Sequence, residues 1–251
     1  MTAGRTPLVD FHCHVDLMPD PPGFIRQRDR QEVRTLAVTT TPRAWPQNRE
    51  WAAGSTHVRP ALGMHPQVVA ERADEIDLFE AFLSETRYVG EVGLDGSKSH
   101  TSSLDLQKAV FNRILSACAR EGERILSVHS LRADVSVLDA IEELLPPTRG
   151  TVVLHWFTGS TKQAVRAVEL GCYFSLNPLM LQTPRHQQLV RAIPLDRLLT
   201  ETDAPFARGS LEEGGLVMVE ETIGRIAELH DMPGSQVTSI IQANLGRLLR
   251  T

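Results

Sequence analysis

Short apolar runs alternate with longer helical patterns along almost the whole chain, and this alternation restricts the possible folds more than any other feature. Strands that are separated by helices pair in parallel, with the helices covering the sheet. The chain has 251 residues, close to the length of about 250 residues typical of an eight-fold βα barrel. We therefore predict one (β/α)8 TIM-type barrel domain over residues 1–251. The eight predicted strands are, approximately, Leu8 to His14, Arg34 to Thr40, His57 to His65, Tyr88 to Leu94, Ile125 to His129, Thr151 to Trp156, Cys172 to Ser175 and Arg197 to Asp203.

Composition and charge exclude several classes of protein. No apolar run approaches the ~20 residues of a membrane span, and Met1 to Thr6 has no apolar signal core. We expect a cytoplasmic protein that does not bind membranes, with its three cysteines as buried thiols. A net charge of −5 argues against a protein that coats nucleic acid through a broad basic surface. A nucleic-acid substrate would have to be held locally, by bound cations and a few arginines.

Histidines stand at the ends of the predicted strands. His12 and His14 end the first run and share a face, because successive side chains of a strand point to opposite faces. His65, His129 and His155 end later runs. Barrel enzymes place their active sites at the carboxyl ends of the strands, and converging neutral imidazoles suit a divalent metal. For an isolated His-x-His pair, the alternative is a polar strand end at which the two histidines only form hydrogen bonds with loops.

Three carboxylates lie within the predicted strands at the same end. Glu91 interrupts an otherwise apolar run, and Glu201 and Asp203 do so in the last run. Burying a carboxylate is costly unless it is paired or bound to a metal. Glu201 and Asp203 would share one face and repel each other if both were ionised without a nearby cation. An ion pair with an arginine of a neighbouring strand remains the structural alternative for any one of them.

An arginine and a tryptophan follow the second predicted strand. Arg43 and Trp45 lie just beyond its carboxyl end, where barrel enzymes bind substrate. Trp45 could stack on a DNA base while Arg43 contacts the adjacent phosphate. The alternative is that Trp45 only covers the neighbouring loop.

The motifs at these strand ends resemble, in order along the whole chain, those of the TatD-type metal-dependent deoxyribonucleases of the amidohydrolase superfamily. The matching segments are His12-x-His14, Gly63-Met64-His65-Pro66, Gly90 to Asp95, His155 to Gly159 and Glu201 to Pro205. The resemblance implies a metal site at the carboxyl ends of the strands, with Glu201 and His65 close by. The implied metal ligands are His12, His14, Glu91, His129, His155 and Asp203.

Three stretches are also similar to the TatD-like member of the bacterial Qat anti-phage defence group: Thr39 to Pro46, Gly90 to Ser97 and Leu154 to Phe157. This likeness implies partner proteins, among them an ATPase and a nucleoside-modifying enzyme. The chain departs from the family pattern at Gly96, where an aromatic residue is usual, and at Leu131, where arginine is frequent and Arg132 follows instead. It departs again after Pro205, where Ala207 to Glu213 replaces the usual segment.

Together with the resemblance, these features predict a deoxyribonuclease that uses two divalent metal ions (Mg, Mn or Zn). The resemblance implies that it trims DNA from the 3′ end, and we expect single-stranded or frayed ends as substrates. Glu91 would bridge the ions, with His12, His14 and Asp203 on one and His129 and His155 on the other. Glu201 would orient or deprotonate the attacking water, and His65 or Arg132 would contact the phosphate.

Two other functions remain open from the sequence. A small-molecule amidohydrolase or phosphoesterase can use the same fold, but many amidohydrolases bridge their metals with a carbamylated lysine at the fourth strand. Here that strand carries Glu91, and Lys98 lies well into the following loop. A non-catalytic scaffold subunit of a defence complex would be expected to have lost ligands, and all six implied ligands are present.

Overall fold

The computed structural model describes residues 6–207 and 209–251, and its eight strands are all parallel to their neighbours. The predicted boundary at Met1, most of the N-terminal segment and Arg208 lie outside the described residues. All eight predicted strands are present close to their predicted positions. They are β1 (Leu8–Cys13), β2 (Val33–Val38), β3 (Val58–Ala61), β4 (Tyr88–Gly93), β5 (Arg124–His129), β6 (Gly150–His155), β7 (Tyr173–Leu176) and β8 (Leu198–Thr200).

The strands form two sheets, β1-β2-β3 and β4-β5-β6-β7-β8, that join at both edges into a barrel. At the β3/β4 edge, Leu62 donates its N–H to Tyr88 (3.0 Å) and accepts from Gly90 (2.8 Å). At the β8/β1 edge, the N–H of Asp203 donates to the carbonyl of His12 at 2.9 Å. The predicted TIM-type α/β barrel is confirmed, and this second edge places the residues after β8 beside the end of β1.

Helices follow the strands and cover the outside of the barrel. Each contributes an apolar side to the core, as in α5, where Val110, Phe111, Ile114 and Leu115 are buried. No helix in the described part of the chain is long and apolar enough to cross a membrane. The α-helices are α1 (Pro21–Gln31), α2 (Trp45–Ala52), α3 (Val69–Arg72), α4 (Ile76–Phe82), α5 (Leu104–Glu121), α6 (Asp134–Leu144), α7 (Thr161–Glu169), α8 (Pro184–Arg191), α9 (Leu216–Leu229) and α10 (Gly234–Leu248).

The third strand ends four residues earlier than predicted, because the chain turns inward at Gly63. A Cβ atom at Gly63 would lie 1.8 Å from the carbonyl oxygen of Thr39, so only glycine fits this close approach. The next residue, Met64, donates its N–H to the carbonyl of Glu91 at 2.9 Å. His65 thereby reaches the same end of the barrel as Glu91.

The three cysteines are buried and free, as predicted. Burial raises the pKa of Cys118 and of Cys172 to about 12, so both remain thiols at neutral pH.

A buried ion pair fastens helix α1 to the β8/β1 edge. The guanidinium of Arg28 in α1 pairs with Asp10 in β1, and neither side chain is exposed. Asp10 also accepts from the N–H and the hydroxyl of Thr202, both at 2.8 Å. Burial raises the pKa of Asp10, although Arg28 and the Thr202 hydrogen bonds oppose this shift. This network holds the segment that carries Glu201 and Asp203 against the first strand.

Replacing Arg28 should destabilise the barrel strongly. Arg28→Met keeps the length of the side chain but leaves the Asp10 carboxylate buried without its cation, which costs about 3 to 5 kcal/mol. The free energy of unfolding in urea measures this loss. The matched control is Arg166→Met, which breaks surface pairs with Asp139 and Glu142 and should cost about 1 kcal/mol or less. Equal losses in the two variants would contradict the role given to the buried pair.

Candidate metal centre

The six side chains implied as metal ligands gather at the carboxyl ends of the strands. All of them except His12 line a cavity of about 600 Å³ at this face of the barrel. Three overlapping groups could each hold a metal ion: His12, His14 and Glu91; His12, His155 and Asp203; and His65, Glu91 and His129.

Glu91 lies at the centre of this arrangement. Its Oε2 atom is 3.3 Å from Nε2 of His12 and 3.1 Å from Nε2 of His14. Its Oε1 atom is 2.8 Å from Nδ1 of His129 and 3.3 Å from Nε2 of His155. Burial alone would raise the pKa of Glu91, but the surrounding imidazoles outweigh burial and hold the pKa well below its ordinary value. The two oxygens of one ionised carboxylate therefore face two separate sets of nitrogens.

The ring of His12, at the end of β1, is held in position by a hydrogen bond to a residue of β5. Nδ1 of His12 lies 2.7 Å from the hydroxyl of Ser127 in β5, which fixes the orientation of the ring. Nε2 of His12 then lies 3.3 Å from Nε2 of His14. Burial and the nearby ring of His155 keep the pKa of His12 well below its ordinary value, so this ring is neutral and able to bind a metal.

His129 and His155 each lie between Glu91 and an outer carboxylate. Nε2 of His129 is 3.2 Å from Asp95, and Nδ1 of His155 is 3.3 Å from Glu201. A neutral imidazole has only one N–H, so it cannot donate to both carboxylates. Burial lowers the pKa of both rings, but their carboxylate partners outweigh burial and raise it. A divalent cation facing Glu91 would relieve the same crowding of negative charge.

The residues present therefore fit divalent metal ions. Imidazole nitrogens and carboxylate oxygens suit Zn, Mn and related ions. Metal-ligating histidines are commonly oriented by a carboxylate on the other ring nitrogen, which is the arrangement of Asp95 with His129 and of Glu201 with His155.

Asp203 lies at the β8/β1 edge, in a backbone conformation with φ of 49°. Its Oδ1 atom is 3.6 Å from Nε2 of both His12 and His14. Burial raises the pKa of Asp203 to about 7; His155 opposes the shift and Glu91 adds to it. Because Asp203 also lines the cavity, its carboxylate can reach both a metal and a substrate.

Glu201 has a different position from the one predicted. It is fully buried and does not line the cavity. Its carboxylate accepts from the hydroxyl of Ser175, from the amide of Asn177 at 3.0 Å and from His155. Glu201 therefore lies behind His155 and orients that ring, rather than facing the attacking water that it was predicted to orient or deprotonate.

His65 is placed to donate a hydrogen bond. Its Nδ1 accepts from the backbone N–H of Gln67 at 3.1 Å, so the proton of the neutral ring is on Nε2. Nε2 lies 3.2 Å from Glu91 Oε2 and also borders the cavity. A ring with this tautomer has no free nitrogen to bind a metal, although the position of His65 alone would allow it.

The three predicted substrate contacts do not line the cavity. Trp45 is only 2% exposed and donates from Nε1 to Glu85 at 3.1 Å. In this position the indole has no exposed face on which the predicted DNA base could stack, and its burial fits the alternative of a packing role. Arg43 pairs with Glu75 at 2.5 Å, and Arg132 is exposed beyond β5.

Four residues that support the ligands were not predicted from the sequence: Asp95, Ser127, Ser175 and Asn177. Polar residues within or just after apolar strands were the available signal, as for Ser127 two positions before His129. The apolar side chains that line the mouth of the cavity were not predicted either, because nothing in their residue type distinguishes them from core residues.

Comparison with known proteins assigns the family. Residues 9–250 match the family described as TatD related DNase. The chain belongs to this family. It is 29% identical over 267 residues to the metal-dependent hydrolase YabD of Bacillus subtilis, covering 97% of this chain and 99% of that protein. It is 38% identical over 117 residues to deoxyribonuclease Tat-D of Schizosaccharomyces pombe, but this match covers 47% of this chain and 37% of the relative.

Solved structures show the same fold. The TatD homologue YjjV of Escherichia coli matches with a TM-score of 0.85 and 22% identity, covering 97% of this chain and 98% of that one. A TatD family hydrolase of Entamoeba histolytica matches with a TM-score of 0.80 and 13% identity, covering 98% and 99%. Family membership and the histidine and carboxylate clusters identify the chain as a metal-dependent hydrolase.

Asp203→Asn should stabilise the metal-free protein at high pH. The pKa of Asp203 is about 7 in the folded chain, against an ordinary value of 3.8 for an aspartate. Its contribution to stability is therefore fully present below about pH 4 and is lost as the pH rises through 7. The asparagine does not titrate, so above pH 7 the variant should melt about 5 °C or more above the parent in EDTA, and this difference should shrink towards pH 4. The exposed control Asp196→Asn should show neither effect. If the variant melted no higher than the parent at pH 8, burial could not be what raises the pKa of Asp203.

Metal binding should release protons. At pH 7 Asp203 is about half protonated, and the pKa values of His129 and His155 are raised above their ordinary value, so a metal displaces at least one proton per chain. Calorimetric titration with Mn²⁺ in two buffers of different ionisation enthalpy measures the number released. Identical heats in both buffers would show that these groups hold no displaceable proton.

Proposed function

We propose that this hydrolase cleaves phosphodiester bonds in DNA and uses two divalent cations, Mg, Mn or Zn, one on each side of Glu91. The observation that carries the proposal is the division of the Glu91 oxygens between two sets of imidazoles. A carboxylate that presents one oxygen to each set has the arrangement of a bridging ligand. On this proposal His12, His14 and Asp203 hold one cation, and His129 and His155 hold the other.

When bound, two divalent cations neutralise a phosphodiester, acidify water and stabilise the leaving oxygen. The protein residues provide position and proton transfer. Ser127, Asp95 and Glu201 fix the orientations of His12, His129 and His155 respectively.

Asp203 is the proposed proton acceptor for the attacking water. It is the carboxylate that both borders the cavity and has a pKa near neutrality before metal is bound. His65 is the proposed donor to a phosphate oxygen. Its Nδ1 accepts the N–H of Gln67, so the proton of the His65 ring is on Nε2.

We further propose that the enzyme shortens DNA from a free 3′ end, with a preference for single-stranded or frayed ends. The size of the cavity supports this proposal. Its volume of about 600 Å³ is within the roughly 300–1,000 Å³ of pockets that enclose one small ligand. Such a cavity accepts the end of a strand more readily than a continuous duplex.

We also infer that the enzyme works within a Qat-type anti-phage defence group. The support is the resemblance of the three stretches beginning at Thr39, Gly90 and Leu154. The implied partners are an ATPase and a nucleoside-modifying enzyme encoded beside the chain. Affinity purification of the tagged chain, after expression with these neighbours, tests the inference. Recovery of the chain alone would contradict it.

Glu91→Gln should abolish cleavage of DNA. The amide keeps the shape of the side chain but removes the negative charge shared by both proposed cations. Activity should fall by more than the roughly 10- to 100-fold typical for loss of an outer-shell partner. The assay uses oligonucleotides labelled at the 5′ or the 3′ end, single-stranded and blunt duplex, after chelation and reconstitution with Mg²⁺, Mn²⁺ or Zn²⁺. Glu71→Gln, at an exposed position in α3, is the matched control.

The parent should give a ladder of 5′-labelled products that shortens from the 3′ end, and no product after chelation. Hydrolysis of p-nitrophenyl phosphate without cleavage of any DNA would favour the small-molecule phosphoesterase. Parental activity in the Glu91→Gln variant would place the reaction at another site.

A further inference from the structure

The mouth of the cavity carries a ring of apolar side chains that the proposed chemistry does not use. Leu17, Leu131, Trp156 and Phe206, which we call the apolar rim, line the cavity and follow strands β1, β5, β6 and β8 respectively. Leu17, Leu131 and Phe206 are 43%, 38% and 63% exposed. They cover different sides of one opening, directly above the proposed cation site.

Phe206 is held in an exposed position by its backbone. Its N–H donates to the carbonyl of Asp203 at 2.9 Å, which fixes the turn after β8. Its ring meets the ring of His14 edge to face, with centroids 5.0 Å apart. At 63% it is the most exposed large apolar side chain in the described part of the chain. The ring therefore contributes little to the core and presents apolar surface beside a proposed metal ligand.

Trp156 provides a second aromatic surface across the mouth. Its backbone has a φ of 40°, a conformation that is costly for a bulky residue and that holds the indole at this position. The indole packs partly on the core and is perpendicular to the ring of His155, with centroids 6.5 Å apart. Phe206 thus lies beside His14, and Trp156 lies beside His155.

Within residues 6–207 and 209–251, the lining of the cavity contains no lysine or arginine. The proposed cations would supply the positive charge that a phosphate meets there, while the mouth offers flat apolar faces. Stacking between bases and aromatic rings does not depend on sequence and needs bases whose faces are free. A ligand with a phosphodiester between two flat apolar groups matches this combination.

We propose that the apolar rim binds the unpaired nucleobases that flank the scissile phosphodiester, with Phe206 and Trp156 as the stacking residues. This inference rests on the proposed nuclease function and assigns the stacking role to residues other than Trp45. Leu17 and Leu131 contact the edges of the bases. The rim determines which DNA ends are accepted, because paired bases in a duplex hide the faces that Phe206 and Trp156 contact.

The test compares two single-stranded oligonucleotides with the same phosphates. One has normal bases at its last two 3′ positions, and the other has tetrahydrofuran abasic residues there. The measured quantity is the ratio of kcat/KM for the base-bearing substrate to kcat/KM for the abasic substrate. In Phe206→Ala and Trp156→Ala this ratio should fall about 5- to 100-fold relative to the parent. Trp156→Phe should retain most of the preference, and metal occupancy should remain at the parental value.

The control is Leu106→Ala, which removes an apolar side chain of similar exposure (42%) on α5, outside the cavity. Its ratio should equal that of the parent. Since the Phe206 ring is exposed, its removal should leave the melting temperature unchanged, so this variant tests the proposal even if Trp156→Ala does not fold.

A parent that cleaves both oligonucleotides equally well would overturn the stacking proposal and leave the nuclease function intact. The same conclusion would follow if the Phe206 and Trp156 variants lost activity equally on both substrates. A parent that cleaves neither substrate with any metal would instead refute the proposed function, and the inference about the rim with it.

Discussion

The rest of the site depends on the contacts between one buried carboxylate, that of Glu91, and the imidazole rings around it. Five imidazole rings have a nitrogen within 3.3 Å of one of its two oxygens: His12, His14, His65, His129 and His155. Burying an ionised carboxylate is unfavourable unless charge or hydrogen bonds compensate. The imidazoles provide this compensation, and in doing so they are brought together with their nitrogens facing one small volume.

The outer groups follow from the same constraint. Asp95 and Glu201 each contact the second nitrogen of a histidine whose first nitrogen faces Glu91. Glu201 is in turn held by Ser175 and Asn177 of the preceding strand and loop. At the β8/β1 edge, the buried pair of Arg28 and Asp10 holds Thr202, and with it the segment that presents Asp203 to the cavity.

Much of the site was predictable because parallel strands bring their carboxyl ends to one edge. A histidine or carboxylate at the end of each apolar run is therefore enough to place His12, Glu91 and His155 near one another without knowledge of the helices. Asp203 was predictable for the same reason, since barrel closure sets β8 beside β1.

Contacts between segments distant in sequence explain where the structure departs from the predictions. Trp45 and Trp156 both follow a strand, but Trp45 packs in the core and donates its N–H to Glu85, 40 residues later. The position of Glu201 behind His155 likewise depends on Asn177, 24 residues earlier. The order of the apolar runs does not specify which of these distant residues meet.

The central claim is that Glu91 joins two cation sites, and diffraction from Mn²⁺-soaked crystals tests it most directly. Anomalous difference maps recorded at the manganese edge locate each ion independently of any assumption about activity. The account predicts two peaks, one against Glu91 Oε2 near His12 and His14, and one against Oε1 near His129 and His155. A single peak at full occupancy under excess Mn²⁺, or two peaks that do not contact Glu91, would contradict it.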